Sequence, residues 1–186
     1  MGTIYFQHSL GESEEEQAFY RALGRNVIMW GRLEACITST ILWTVHHAQA
    51  TIPPPDEMPI AFKRRIEVWK KVFKNEALVA PAHKDRALKF AAEALLLSKK
   101  RNAIMHASIG RYSWELEGSS ARSFQHKGPK TLVRDFHVLT SDLASLEAEV
   151  AALYASVAHI ATLALLRALS PQGRGLSDSP EAPETT

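Results

Sequence analysis

Residues 140–169 read TSDLASLEAEVAALYASVAHIATLALLRAL, and this stretch decides the fold class. Its apolar side chains recur at alternating steps of three and four residues, which places them on one face of an α-helix. Thr140 or Ser141 can cap this helix, and Asp142 suits the positive end of its dipole. The pattern predicts a long helix that buries one face in a bundle, through Leu143, Leu146, Val150, Leu153, Val157 and Ile160.

Three further helical segments precede this one in the chain. The first runs from Ser13 to about Ala50 and begins with a capping box, in which Glu16 follows Ser13 by three residues. Gly24 and Gly31 weaken this helix and predict either a close helix contact or a kink. The second helix starts near Pro59, and the third covers about residues 81–106. The first helix has an apolar stripe of its own, which comprises Phe19, Leu23, Trp30, Leu33, Ile37 and Ile41.

The spacing of apolar residues is no longer helical between the third and fourth helices. Residues 108–116 alternate weakly between apolar and polar, and a turn signal follows at Gly118-Ser119-Ser120. Residues 121–125 and 130–138 could each form a further short strand, so residues 108–138 predict a small β-hairpin or meander. Residues 170–186 are rich in Pro, Gly, Ser, Thr and Glu, which predicts a disordered tail. The expected architecture is an antiparallel four-to-five-helix bundle over residues 1–169, with the β-hairpin inserted before the last long helix.

Composition narrows the class of protein further. The 186 residues suit one domain, and 46% hydrophobic with 23% charged residues is ordinary for a globular chain with a core. The single cysteine, Cys36, excludes an internal disulfide, and no His, Cys or acidic residues have metal-ligand spacing. We therefore expect no metal and no cofactor. No uninterrupted apolar run reaches the ~18 residues of a membrane span, so a cytoplasmic protein without membrane contact is expected.

The net charge of +2 conceals an uneven distribution of basic residues. Residues 63–74 hold six basic side chains against Glu67 alone, and residues 84–101 hold six more against two acidic ones. One interpretation is a set of solvated helix faces. The other is a surface that attracts phosphate groups. In that case the nucleic-acid-binding residues would be Lys70, Lys71, Lys99 and Lys100.

The residues best suited to bind a phosphate or transfer a proton lie at the end of the third helix, where residues 99–107 read KKRNAIMHA. Arg101 is a permanent cation that can brace a phosphate, and His106 titrates near neutral pH and can transfer protons. Asn102 lies four residues before His106 and therefore shares its helix face. Alternatively, Arg101 and His106 form a polar cap, with His106 close to the negative end of the helix.

This segment resembles the R-x4-6-H motif of HEPN domains, with Asn102 in the place of the polar residue that often follows the arginine. Trp30-Gly31-Arg32-Leu33-Glu34 is also similar to an aromatic-x-x-Leu-Glu stretch in uncharacterised bacterial proteins that carry such a motif. The resemblance covers about residues 19–169, although the short motif carries most of it. HEPN domains are helical bundles that commonly dimerise. Many are metal-independent endoribonucleases of toxin–antitoxin or phage-defence systems, and others are non-catalytic binding modules.

The resemblance implies a homodimer in which Arg101 and His106 are catalytic and Asn102 is supporting. Glu34 would be either a buried partner of Arg101 or a charge on the helix surface. The implied ligand is RNA or a nucleotide, and the implied protein partner is an antitoxin. Two alternatives to an endoribonuclease stay open: a non-catalytic HEPN-like nucleotide- or protein-binding module, and a helical interaction protein with no chemistry. The β-hairpin at residues 108–138 departs from the family pattern.

Overall fold

A computed structural model of the chain describes residues 13–47, 58–74, 81–127 and 130–169. The prediction of a mainly helical fold with a small antiparallel sheet before the last helix is confirmed. The predicted tail at residues 170–186 lies outside the described part of the chain. In order, the described elements are α1 (Glu14–His47), α2 (Phe62–Lys74), α3 (Pro81–Met105), β1 (Ser108–Ser113), β2 (Gly118–Lys127), β3 (Lys130–Leu139) and α4 (Thr140–Leu169).

The two long helices begin in different ways. The Ser13 hydroxyl accepts a hydrogen bond from the backbone N–H of Glu16 at 3.0 Å, as the capping-box pattern predicts. Helix α4 follows β3 directly, and there the Asp142 carboxylate accepts a hydrogen bond from the backbone N–H of Leu139 at 3.0 Å. The Thr140 hydroxyl instead donates to the carbonyl of Glu117 at 2.9 Å. The predicted cap by Thr140 or Ser141 is therefore replaced by a carboxylate that reaches back from the first turn.

The core lies where the predicted helical stripes meet. All six apolar positions predicted for α4 are buried, and so are those of α1 except Leu23, which is only partly covered. Between α2 and α3, the ring centroids of Trp69 and Phe90 are 4.9 Å apart. The indole N–H of Trp69 donates to the carbonyl of Ala87 at 2.9 Å, which satisfies its one polar group inside the core. These contacts hold α2 and α3 together and leave the far end of α3 to meet α1 and α4.

The sequence of contacts along two packed helices shows whether they run in the same direction or in opposite directions. Helices α3 and α4 are antiparallel, because residues 93–100 and 149–156 line one groove and Lys100 pairs with Glu149 at its end. Helices α1 and α2 run in the same direction, because Trp30 contacts Phe62 and, one turn later, Glu34 pairs with Arg65. The predicted bundle was antiparallel throughout. The α1–α2 pair departs from that expectation.

The inserted element is a three-stranded antiparallel sheet in the order β1-β2-β3, which confirms the meander. The turn predicted at Gly118-Ser119-Ser120 is wrong. The chain turns at residues 114–117, where Glu117 takes a positive φ of 49°. Gly118 is already in β2, paired with Leu139, and a Cβ atom there would collide with the carbonyl oxygen of Val138. This glycine therefore serves the close approach of two strands rather than the turn.

The two glycines of α1 serve no close contact with the described residues. A Cβ atom built at Gly24 or Gly31 would meet nothing within 4 Å, and both positions are exposed. The expectation of a tightly packed neighbour at these glycines is wrong within the described residues. The sequence alone did not reveal this, because the apolar stripe shows which face is buried but not what lies against the opposite face.

One apolar segment of the described chain, Thr140–Ala164 in α4, has the length and mean hydropathy (1.2) of a membrane-crossing helix. From the sequence we expect no such span, because polar residues interrupt the run. Length and composition alone are weak evidence, since a core helix passes the same test. In this chain the apolar stripe of α4 is buried against the bundle, while 28% of the apolar window as a whole is buried.

Candidate phosphate-binding site at the end of α3

The candidate motif occupies the last turn of α3 and the first residue after it. The backbone N–H of His106 donates to the carbonyl of Asn102 at 3.1 Å, so the helical hydrogen bonding extends as far as His106. The next bond, from Ala107 to the carbonyl of Ile104 at 3.2 Å, tightens and ends the helix before β1. The side chains of Asn102 and His106 are exposed, whereas that of Arg101 is half-buried.

An aromatic ring and an amide hold the Arg101 guanidinium, and no carboxylate takes part. Its Cζ atom lies 5.5 Å from the ring centroid of Trp30, within the range of a cation–π contact. Its Nη1 donates to the Asn102 side-chain oxygen at 2.9 Å. Its Nε is buried without a hydrogen-bond partner. No acidic side chain of the described residues pairs with Arg101.

The hydrogen bond to Asn102 links two of the three motif residues. Around a regular helix Arg101 and His106 are about 140° apart, so their Cβ atoms do not face each other. Asn102 and His106 do share a face, and side chains four residues apart have Cβ atoms about 5–6 Å from each other. Because the guanidinium is tied to the Asn102 amide, it is drawn toward the face that carries His106. Asn102 therefore contacts Arg101 directly, through this side-chain hydrogen bond.

Glu34 fits neither of the two interpretations considered for it. One carboxylate oxygen accepts a hydrogen bond from the Trp30 indole N–H at 2.7 Å, and the other faces Nη1 of Arg65 at 3.4 Å. Its side chain is 30% exposed. Glu34 is therefore a half-buried partner of Trp30 and Arg65, and its link to Arg101 passes through the indole.

Two residues of this site were not assigned to it from sequence. Trp30 is only 2% exposed and was interpreted as a core anchor, which is correct, but its ring also carries Arg101. Arg65 was counted only within a basic run. The spacing of Trp30 and Glu34, four residues apart on one helix, was a usable signal. No comparable signal existed for Arg65, because its partner is 31 residues away in the chain.

The four predicted nucleic-acid-binding lysines divide into two pairs. Lys70 lies 3.1 Å from Glu67, and Lys100 lies 2.6 Å from Glu149, where its hydrogen bond lowers the pKa of that carboxyl. Lys71 and Lys99 are exposed and have no acidic partner among the described residues. The outer side of α2 carries a cluster of basic side chains. We call it the α2 basic face, and it consists of Lys63, Arg64, Lys70, Lys71 and Lys74, with Glu67 among them.

One groove of the described chain is separate from this motif. A groove of about 510 Å³ between α3 and α4 is lined by apolar side chains such as Leu96 and Leu153, with Lys99, Lys100 and Glu149 at its edge. It contains none of the three motif residues. Within the ranges that the structure covers, no group of three or more His, Cys, Asp or Glu side chains could hold a metal ion.

No family model matches the chain, and neither a curated protein nor a solved structure matches it. Fold and site therefore define only a class: a mainly helical protein with a three-stranded sheet and a cationic site where α3 meets α1. The resemblance to HEPN domains rests on the residues of this chain alone.

Proposed function

We propose that this protein is a HEPN-like RNA-binding protein that cleaves RNA without a metal ion, through Arg101 and His106. One observation carries the proposal: the guanidinium of Arg101, which pairs with no acidic side chain of the described residues, packs on Trp30 and is drawn by Asn102 toward the face of His106. A fixed planar cation can bind a phosphodiester, and an exposed imidazole at the same helix end can transfer protons.

In the proposed reaction the attacking group belongs to the substrate. The ribose 2′-hydroxyl attacks the adjacent phosphorus while His106 accepts its proton, and the bond from phosphorus to the 5′-oxygen breaks. The products are a 2′,3′-cyclic phosphate and a 5′-hydroxyl, whose oxygen takes up a proton from a protonated imidazole. Arg101 stabilises the negative charge on the phosphoryl oxygens as it builds up. Asn102 keeps the guanidinium oriented.

A homodimer completes this proposal. One imidazole cannot be proton acceptor and proton donor in the same displacement without an intervening transfer, whereas two copies of the motif supply both forms. We place the protein in the cytoplasm, where RNA is available, and expect an antitoxin-type partner protein to act by covering the exposed Asn102 and His106.

A second function, a non-catalytic RNA- or nucleotide-binding module, is favoured by the burial around Arg101. Its Nε is buried and its guanidinium packs on Trp30, which is itself in the core. Arg101 therefore also connects α3 to α1. A residue with that structural contact would be retained even if His106 performed no proton transfer.

The experiment that tests the proposal uses purified protein and a mixed RNA pool in EDTA. We expect cleavage to persist and to leave cyclic phosphate ends, with light scattering at tens of micromolar showing a dimer. Arg101→Ala should lose cleavage, and Arg101→Lys should recover only part of it because lysine lacks the planar fork. Arg21→Ala, an exposed arginine of α1, is the control. RNA binding without cleavage would favour the binding module, and cleavage that stops in EDTA would contradict the mechanism.

Binding itself should depend on the α2 basic face. Each phosphate contact contributes about 0.7 to the slope of log affinity against log salt for a single strand. Lys71→Glu and Lys74→Glu should therefore weaken binding at every RNA sequence and reduce that slope, since both lysines are exposed without a described acidic partner. The matched control is Lys89→Glu, because Lys89 is also exposed but pairs with Glu93 on α3. Equal slopes for all three variants and the wild type would refute a role for this face.

A further inference from the structure

We infer that Arg65 is a positioning residue that holds Glu34 on the Trp30 indole and thereby leaves Arg101 free to bind phosphate. The inference rests on the proposed function, since it concerns the availability of the same guanidinium. Arg65 does not contact Arg101. We infer that it nevertheless determines whether the positive charge of Arg101 is available to a ligand.

Arg65 is fully engaged and well anchored. Its Nε and Nη2 donate to the carbonyls of Pro59 and Ile60, each at 3.2 Å, and its Nη1 faces Glu34 at 3.4 Å. Its side chain is only 12% exposed. The two carbonyl bonds fix the guanidinium at the start of α2, so that the remaining nitrogen presents a fixed positive charge to Glu34.

Glu34 lies between two arginines that have different tasks. Its carboxylate and the Arg101 guanidinium contact the same indole, one at the ring nitrogen and the other over the ring face. A carboxylate and a guanidinium form the strongest kind of side-chain hydrogen bond, so an unrestrained Glu34 would turn toward Arg101. Such a pair would occupy the donors that a phosphate needs. The ion pair with Arg65 prevents this, and the bond to Trp30 at 2.7 Å holds the carboxylate in place.

The arrangement makes a prediction that a purely structural role does not make. Loss of Arg65 should weaken phosphate binding because Glu34 then neutralises Arg101. Loss of the carboxylate charge should remove that competition. Glu34→Gln should therefore restore binding in a protein that lacks Arg65, although it repairs none of the contacts that Arg65 made to the connection before α2.

The test measures the fluorescence anisotropy of a labelled 2′-O-methyl RNA oligonucleotide, which binds but cannot be cleaved through the 2′-hydroxyl. Arg65→Gln should weaken its affinity by about three- to tenfold, the effect of one partly screened charge pair. Glu34→Gln alone should leave the affinity within about twofold. The double variant Arg65→Gln/Glu34→Gln should return to the wild-type affinity. Arg65→Lys, which keeps a positive charge for Glu34 but loses the two carbonyl bonds, should bind nearly as well as wild type at a lower melting temperature.

The outcomes separate the inference from the proposed function. Equal affinity for wild type and Arg101→Ala would overturn the proposed function and this inference with it. Dependence on Arg101 without rescue in the double variant would overturn the inference alone. If Arg65→Gln does not fold, Arg65→Lys decides, and an affinity that falls in step with its melting temperature would assign Arg65 a structural role.

Discussion

Replacement of His106 by alanine is expected to lower the rate of RNA cleavage by about 10²–10⁴-fold, the usual contribution of a proton-transfer group. The imidazole is exposed at the end of α3, so its removal leaves no cavity in the core. The melting temperature and the affinity for the uncleavable oligonucleotide should therefore stay close to those of the wild type. The rate of cleavage of a defined RNA under single-turnover conditions is the measurement.

The control for this variant is His159→Ala. His159 is also exposed, but it lies on α4, far along the chain from the motif. The His159→Ala variant should cleave RNA at the wild-type rate. Equal residual cleavage by wild type and His106→Ala would point to contamination or to a different site. A large loss of stability in His106→Ala would instead support the interpretation of His106 as a structural cap of α3.

The largest effect on stability is expected from Asn26→Asp, which should lower the free energy of unfolding by about 3 kcal/mol at neutral pH. The Asn26 amide nitrogen donates to the carbonyl of Ala22 at 3.0 Å and to that of Leu143 at 2.9 Å, and the residue is 1% exposed. A carboxylate of the same shape has no donor to offer and would face two carbonyl oxygens. The substitution would weaken the contact between α1 and the start of α4, because the Asn26 amide joins these two helices.

Chemical denaturation at several pH values checks this prediction. Burial among oxygen atoms raises the pKa of the introduced carboxyl, and a protonated carboxyl regains one donor. The deficit should therefore shrink as the pH falls, since a raised pKa in the folded state means that proton uptake favours folding. Asn102→Asp makes the same chemical change at an exposed position and should alter stability by less than about 0.5 kcal/mol. A deficit that is independent of pH would contradict the buried-carboxylate explanation.

Local patterns account for most of the fold that the sequence predicted. The spacing of Leu143, Val150 and Val157 predicts a helix face, and all three are buried, because helical periodicity needs only near neighbours in the chain. The turn before β2 was misplaced for the same reason. Gly118 is a turn signal when only its neighbours are considered, but its small size is required by the carbonyl of Val138, which is 20 residues further on.

Part of the candidate site also follows from local spacing in the sequence. Arg101, Asn102 and His106 lie at one helix end, and sequence spacing was sufficient to predict that they share this end of α3. Trp30 and Glu34 are also one helical turn apart. In both cases the geometry follows from the 3.6-residue repeat of a helix.

The sequence by itself therefore determined the helices, their buried faces and the residues that share a helix turn at the motif. Only the tertiary structure decided that α1 and α2 run in the same direction, that Trp30 carries Arg101, and that Arg65 rather than Arg101 is the partner of Glu34. The physical reason is that periodicity shows which face of a helix is buried, whereas the choice of neighbour depends on how all the faces pack at once.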